Sequence, residues 1–364
     1  MIRPRGAPLS RRSKAAFATA VWVFAMPATA SAATKIVDMG LPTASAKTFQ
    51  KTGADVNDYF PHGTTIHVGD SIRFTPTGFH TVDLPAKGAK PLGTQAPVGA
   101  TSGVLDAAGK PFWFNGQPML GFNPALLKGI FGKRLAYRGA KRVESGLPLS
   151  QRPKPFTVKF TKAGSYTYYC NLHTGMKGTV KVVSKSHGVP SAKADAKALK
   201  DQLASTLKTA KSLAKTAVAP SNVSLGAAGR GGVELFAMLP ATQTVAVGTT
   251  VKFSMSARSF EVHTATFGPG DPEKEPNSYL GQLVQHFEND PVTPSQAAYP
   301  SEPPGTVGGV SPTLHGNGFW NSGVLDASSA TPLPNSNAVT FTAPGTDDFY
   351  CILHPFMKGT VTVR

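Results

Sequence analysis

The sequence predicts an all-β protein made of two tandem copies of one strand-rich unit, joined by an α-helical linker. Three observations carry this expectation. Among 364 residues there are 37 Gly and 31 Pro, with only 16% charged, a composition that favours many short strands and turns over long helices. The segment VKFTKAGSYTYYCNLHTGMKGTV, Val158–Val180, recurs without a gap as VTFTAPGTDDFYCILHPFMKGTV at Val339–Val361, and such a self-match marks a duplication. Between the copies, Ala196, Leu199, Leu203, Leu207, Ala210, Ala214 and Ala217 recur at helical spacing, with lysines over much of the opposite face.

At the N-terminus, a basic stretch with Arg3, Arg5, Arg11, Arg12 and Lys14 precedes the apolar run AAFATAVWVFAMPATA and the small residues Ala30–Ala32. This is the pattern of a cleaved leader over 1–32, and it predicts export to a periplasm or to the extracellular side of the cell envelope. The paired arginines hint at a twin-arginine route, which the Ser and Lys after them fit poorly. Formal net charge is +17, and removing those five residues leaves about +12. A basic exported protein suits redox partners with an acidic docking face, or an anionic membrane or cell-wall surface. Nucleic acid is disfavoured, because no dense Lys/Arg run carries interleaved aromatics.

The first unit is expected over 33–186. It runs through the Gly-led strand VGDSIRFTPTGFHTV to His80, then the alternating strands either side of the Gly164 turn. The second is expected over 229–364, with VGTTVKFSMSARSFEVHTATF reaching His263 and a turn at Gly345. The pentapeptide SGVLD occurs in both, at Ser102–Asp106 and Ser322–Asp326. Aligned on it, His80 lies 22 residues before the serine but His263 lies 59, while Asp106 lies 52 before Val158 and Asp326 only 13 before Val339. This register puts one long insertion in each unit but in different loops, at about 107–152 and about 268–315. Such loops act as lids or run out as disordered excursions. The linker spans 187–228 with its helix over about 192–217, capped by Ser191 and ended by Pro220. Two roles stay open for that helix: lying on one sandwich, or pairing with its twin in a homo-oligomer.

The chemistry concentrates around the two cysteines, Cys170 and Cys351. Cys170, His173 and Met176 share one loop with Cys-x-x-His-x-x-Met spacing, and Cys351, His354 and Met357 repeat it. With His80 and His263 from upstream strands, each unit offers a thiolate, two imidazoles and a thioether. That is the donor set of a type-1 blue-copper site, and soft sulfur ligands select copper over harder ions. Two cysteines in an exported protein are ordinarily a disulfide, but here the two equivalent sites would have to face each other. A Cys-His catalytic pair leaves the matching methionines unexplained. Those methionines could also be ordinary core residues. His62, His67, His187, His286 and His315 have no twin and read as surface or structural, with His286 and His315 leaving an additional metal open.

The pattern resembles the cupredoxins, the plastocyanin and amicyanin group, over about 59–183 and 233–364 apart from the insertions. The short loop CILHPFMKG is similar to that of amicyanin. The resemblance implies Greek-key β-sandwiches with one copper each, and a partly exposed second loop histidine, His173 or His354, through which electrons leave. It also implies electron transfer. Copper storage or delivery is the alternative. Oxidase chemistry of the two-domain multicopper kind is disfavoured, because Tyr169, Asn171, Tyr350 and Ile352 flank the cysteines and the chain has no His-x-His.

Overall fold

The computed structural model describes residues 32–213 and 215–364. The leader expected over 1–32 lies, but for Ala32, outside them. Among the described residues no helix is long and apolar enough to cross a membrane.

Each copy is a two-sheet sandwich. In the first, one sheet orders Tyr59–Phe60, Thr34–Met39, Ser71–Pro76, Phe156–Phe160 and Arg134–Tyr137. The other orders Val143–Glu144, Asp83–Leu84, Gly164–Tyr169, Lys177–Val183 and Gly63–His67. Lys177–Val183 alternates strictly, sending Gly178, Val180 and Val182 inward, as the period of two requires. Tyr59, Phe74, Phe156, Phe160 and Tyr168 fill the space between the sheets. In the second copy, Asn222–Ala228, Thr250–Met255 and Ser336–Phe341 stand opposite Gly345–Tyr350 and Lys358–Val363, around Phe253, Phe267, Trp320, Phe341 and Phe349.

Strand pairing corrects the register read from SGVLD. Val143–Glu144 pairs with Asp83–Leu84 in the first copy, as Trp320–Asn321 pairs with Thr266–Phe267 in the second. The counterpart of Ser322-Gly323 is therefore Ser145-Gly146, and Ser102 lies elsewhere. Arg134–Tyr137 and Gly308–Val310 are also sandwich strands, each running parallel to the strand that leads toward the cysteine hairpin. The insertion expected at 107–152 thus moves to about 85–133, the one expected at 268–315 shortens to about 268–307, and they occupy the same loop in both copies.

Neither insertion is an excursion into solvent. Phe112 and Phe114 of the first pack with Leu280, Leu283 and Val284 of the second, over Phe319, Tyr350 and Ile352. The Trp113 indole N–H donates to Pro300 O at 2.8 Å, and His315 Nδ1 lies 3.2 Å from an Asp106 carboxylate oxygen.

The copies are further joined by strand exchange, since Ala54–Val56 adds to the edge of Val233–Leu239 and covers backbone groups otherwise open to pairing. The linker helix, Ala192–Leu213, starts where Ser191 Oγ accepts the Ala194 N–H at 3.3 Å. It ends before the expected 217, and Pro220 lies in the loop beyond. Its Leu199, Leu203, Leu207, Ala210 and Leu213 pack on Phe49, Val56 and Phe60 from one copy and Val233 from the other. The helix therefore seals the junction of both copies instead of lying on one, and its apolar stripe is covered within the chain.

Candidate metal centres

His263 ends the strand Val262–His263, His80 lies in the loop between the strands Ser71–Pro76 and Asp83–Leu84, and each cysteine follows the first strand of a hairpin. Cys170 follows Gly164–Tyr169 and Met176 precedes Lys177–Val183, so the intervening loop spans the tip of two paired strands. Two backbone bonds shape it: Met176 N–H to His173 O at 3.0 Å and Cys170 N–H to Met176 O at 3.0 Å. The second loop repeats them, Met357 N–H to His354 O at 2.8 Å and Cys351 N–H to Met357 O at 3.1 Å. Met176 and Met357 are buried in the same cores as the adjacent thiols.

The structure brings the predicted donors together as two triads. In the first, His80 Nδ1 and His173 Nδ1 are 2.9 Å apart, and Cys170 Sγ is 3.5 Å from His173 Nδ1. In the second, the Nδ1 atoms of His263 and His354 are 3.1 Å apart, each 3.7 Å from Cys351 Sγ. Both cysteines are free and buried, so each thiol belongs to its own triad and no disulfide joins them. A first-row ion binds imidazole nitrogen at about 2.0–2.1 Å and thiolate at about 2.3 Å. Three donors all within 4.8 Å of one another fit around one such ion, and the thiolate–imidazole–thioether chemistry fits copper.

Threonines following the upstream histidines had not been singled out. The Thr81 N–H points at Cys170 Sγ at 3.4 Å, and the Thr264 N–H at Cys351 Sγ at 3.3 Å. Their hydroxyls accept the N–H groups of Asn171 and Ile352 at 2.8 and 2.9 Å, fixing the residue after each cysteine. The signal was present as the repeated dipeptide His-Thr. Gly40 and Gly226 were also missed. Each has positive φ, and a Cβ there would meet the ring of His80 at 3.0 Å or of His263 at 3.4 Å.

The surroundings of the two centres differ. Phe236 stands edge-on to His354 at 5.0 Å, and Phe356 is 56% exposed beside it. In the first loop Gly175 takes the place of Phe356, and Phe260 from the second copy fills the space: a Cβ on Gly175 would lie 2.5 Å from its ring. His173 is thereby enclosed, its side chain 11% exposed against 22% for His354. This corrects the expectation of a partly exposed imidazole at each site. Only the second centre presents one.

A buried carboxylate lies between the centres. Glu261 Oε1 is 3.1 Å from His173 Nε2 and accepts the Asn57 side-chain N–H at 2.7 Å, while Oε2 is 3.8 Å from His354 Nε2. Burial alone would push the Glu261 carboxyl up, but the charges of His173 and then His354 hold it well below the usual range. Burial likewise opposes charge on Cys170, and the neighbouring His173 and His80 pull that thiol well below its ordinary value. At the second centre burial prevails, raising Cys351 and lowering His263 to about 3. The difference follows the shorter carboxylate contact at His173.

Among the unpaired histidines, His62 contacts Asp58, His67 contacts Asp70, and His286 contacts Asp290. His187 Nδ1 meets Ser184 Oγ at 2.7 Å. His315 joins Asp106 to Glu302. Among the described residues, none of these histidines belongs to a third group of metal-type donors.

A family model described as copper binding proteins of the plastocyanin/azurin family matches residues 107–183. Amicyanin of Paracoccus versutus is 31% identical over 140 residues, covering 38% of this chain and 98% of amicyanin. The crystal structure of that amicyanin aligns at 16% identity and a TM-score of 0.22, covering 42% of this chain and 88% of amicyanin. A purple cupredoxin from Nitrosopumilus maritimus aligns at 16% identity and a TM-score of 0.21, covering 39% and 98%.

Proposed function

This chain belongs to the plastocyanin/azurin family of copper-binding proteins, and from that premise we propose that it carries single electrons on two type-1 copper ions. The doubled donor set carries the reading: two Nδ1 atoms and one Sγ converge in each copy. His80, Cys170 and His173 would hold one ion and His263, Cys351 and His354 the other, with Met176 and Met357 as the candidate thioether donors. Bound copper supplies a Cu(II)/Cu(I) couple. The chain's part is a buried cage, a backbone N–H aimed at each thiol, and loops closed by their own hydrogen bonds, all of which limit rearrangement.

Each centre is a one-ion donor set without the His-Cys-His and His-x-His links of a multicopper enzyme, which supports the carrier reading over oxidase chemistry of that kind. Export is supported by the basic and apolar N-terminal sequence. The strongly basic chain suits a redox partner with an acidic docking face, or an anionic membrane or wall surface.

The test is to load the purified protein with Cu(II), count bound copper and record the visible thiolate-to-copper band. Two coppers and strong colour are expected, and Cys170→Ser or Cys351→Ser should each remove about half of the colour. Absence of colour would sink the assignment. Ready loss of Cu(I) to a chelating acceptor, without reversible redox, would point to copper delivery.

A further inference from the structure

Glu261 is a charged feature of the centres that the duplication does not repeat. Its position two residues before His263 corresponds in the first copy to Gly78, two residues before His80. No side chain fits there: a Cβ on Gly78 would lie 2.8 Å from the His80 ring. The second copy alone supplies a carboxylate, and it points into the junction, where Asn57 from the first copy holds its Oε1 at 2.7 Å. Asn57 sits there because Ala54–Val56 has joined the second copy's sheet.

The carboxylate reaches both loop histidines on the edge away from their Nδ1 atoms. His173 Nε2 is at hydrogen-bond distance, 3.1 Å, and His354 Nε2 is at ion-pair distance, 3.8 Å. An acceptor on Nε2–H fixes the proton there and leaves Nδ1 free as a donor atom, aimed into its triad. Such partners set ring orientation and raise ligand basicity. Glu234 and Ser259 lie alongside, with Ser259 Oγ donating to Glu234 Oε2 at 3.2 Å and the Phe260 N–H to Oε1 at 2.6 Å. These bonds pin the segment that carries Glu261.

We propose that Glu261 is a positioning residue shared by both centres, holding His173 of the first copy more firmly than His354 of its own. The two centres are then one linked unit, and the second copy completes the first copy's ligand cage. This rests on the reading that these imidazoles hold copper.

The experiment measures Cu(I) affinity of the full-length chain by competition with a chromophoric chelator. Cys351→Ser isolates the first centre and Cys170→Ser the second, each with and without Glu261→Gln. Loss of such a carboxylate partner typically costs about 10–100-fold in metal affinity. The first centre should therefore weaken by about tenfold or more, and the second by less. Unchanged affinity at the first centre, or loss confined to the second, would overturn the proposal while leaving the copper assignment intact. Failure of the unsubstituted chain to bind copper would overturn both.

A second readout uses the metal-free protein with Glu261 in place. The His173 ring Nε2–H should appear in a nitrogen–proton NMR spectrum as a slowly exchanging signal, identified by its absence in His173→Gln. Fast exchange of that proton would equally overturn the proposal.

Discussion

Ser145 stands in the first copy where Ser322 stands in the second. Ser145 Oγ accepts the Val82 N–H at 2.8 Å and donates to Gly146 O at 2.9 Å, while Ser322 Oγ accepts the Ala265 N–H at 2.9 Å and donates to Gly323 O at 2.7 Å. Both serines are fully buried and act on the residue two places beyond an upstream histidine. The duplication has kept this hydrogen-bonded turn.

Replacing either serine by alanine leaves a buried backbone N–H without its acceptor, a loss of about 1–3 kcal/mol. Ser145→Ala and Ser322→Ala should each lower stability by that amount in urea titration. Ser102→Ala, at an exposed position, should stay within about 0.5 kcal/mol of the parent. A large effect at Ser102 with none at Ser145 would restore the SGVLD register.

Enclosure of His173 by Phe260 predicts unequal electron exchange with small reagents. Stopped-flow bleaching with a ferrocyanide-type reductant should be slower for the Cys351→Ser variant, which keeps the enclosed first centre, than for Cys170→Ser. Phe260→Ala in the Cys351→Ser background should speed it by uncovering the Gly175 loop. Equal rates in both single-centre variants would contradict the exposure difference.

The Asp106–His315–Glu302 cluster ties the two insertions with opposite pH limits. Burial opposes charge on His315, but contacts with Glu302 and Asp106 raise its pKa above 6.5. Its stabilising contribution is complete below that unfolded value and is lost as pH rises through the raised folded value. Asp106 is lowered below 3.8: desolvation opposes this, while bonds from the Lys110 backbone and from His315 prevail. Its contribution is present above 3.8 and lost as pH falls through the lowered value. The stability difference between the parent and His315→Ala should therefore be greatest near pH 5 and shrink above neutrality. A difference that grew from pH 6 to 8 would contradict the sign.

The ligand sets were legible because three members of each lie on one loop and recur in register, so a local pattern reported a three-dimensional cluster. The insertions were misread for the opposite reason. Five identical letters at Ser102 and Ser322 set the register, whereas ESGLPL at 144–149 shares only Ser-Gly in place with NSGVLD at 321–326, and the turn preserves only the Ser-Gly hydrogen bonds. Glu261 was invisible because its hydrogen-bonding partner Asn57 is 204 residues distant, and no spacing rule spans a strand exchange. The linker helix was recognised from its period, but a stripe of leucines does not say which surface covers it.

The His-Thr dipeptide is the part of the site that the sequence displayed and local reading passed over. Thr81 Oγ1 accepts the Asn171 N–H and also donates to Asn171 Oδ1 at 2.7 Å, whereas Thr264 Oγ1 accepts the Ile352 N–H and shares a bond with Thr266 Oγ1 at 3.0 Å. Valine keeps the shape and the N–H aimed at sulfur but removes the hydroxyl. Thr81→Val and Thr264→Val should each cost about 1–3 kcal/mol, because a buried N–H next to the cysteine loses its acceptor. The freed N–H belongs to the residue after the thiol, so the loop that sets sulfur orientation relaxes in one copy alone. The visible band of the copper-loaded protein should then split into two components, one unmoved and one shifted, and the shifted component should vanish with Cys170→Ser in the Thr81→Val background. A shift of the whole band by either single substitution would mean that these hydroxyls act on both centres, contrary to the separate anchoring seen here.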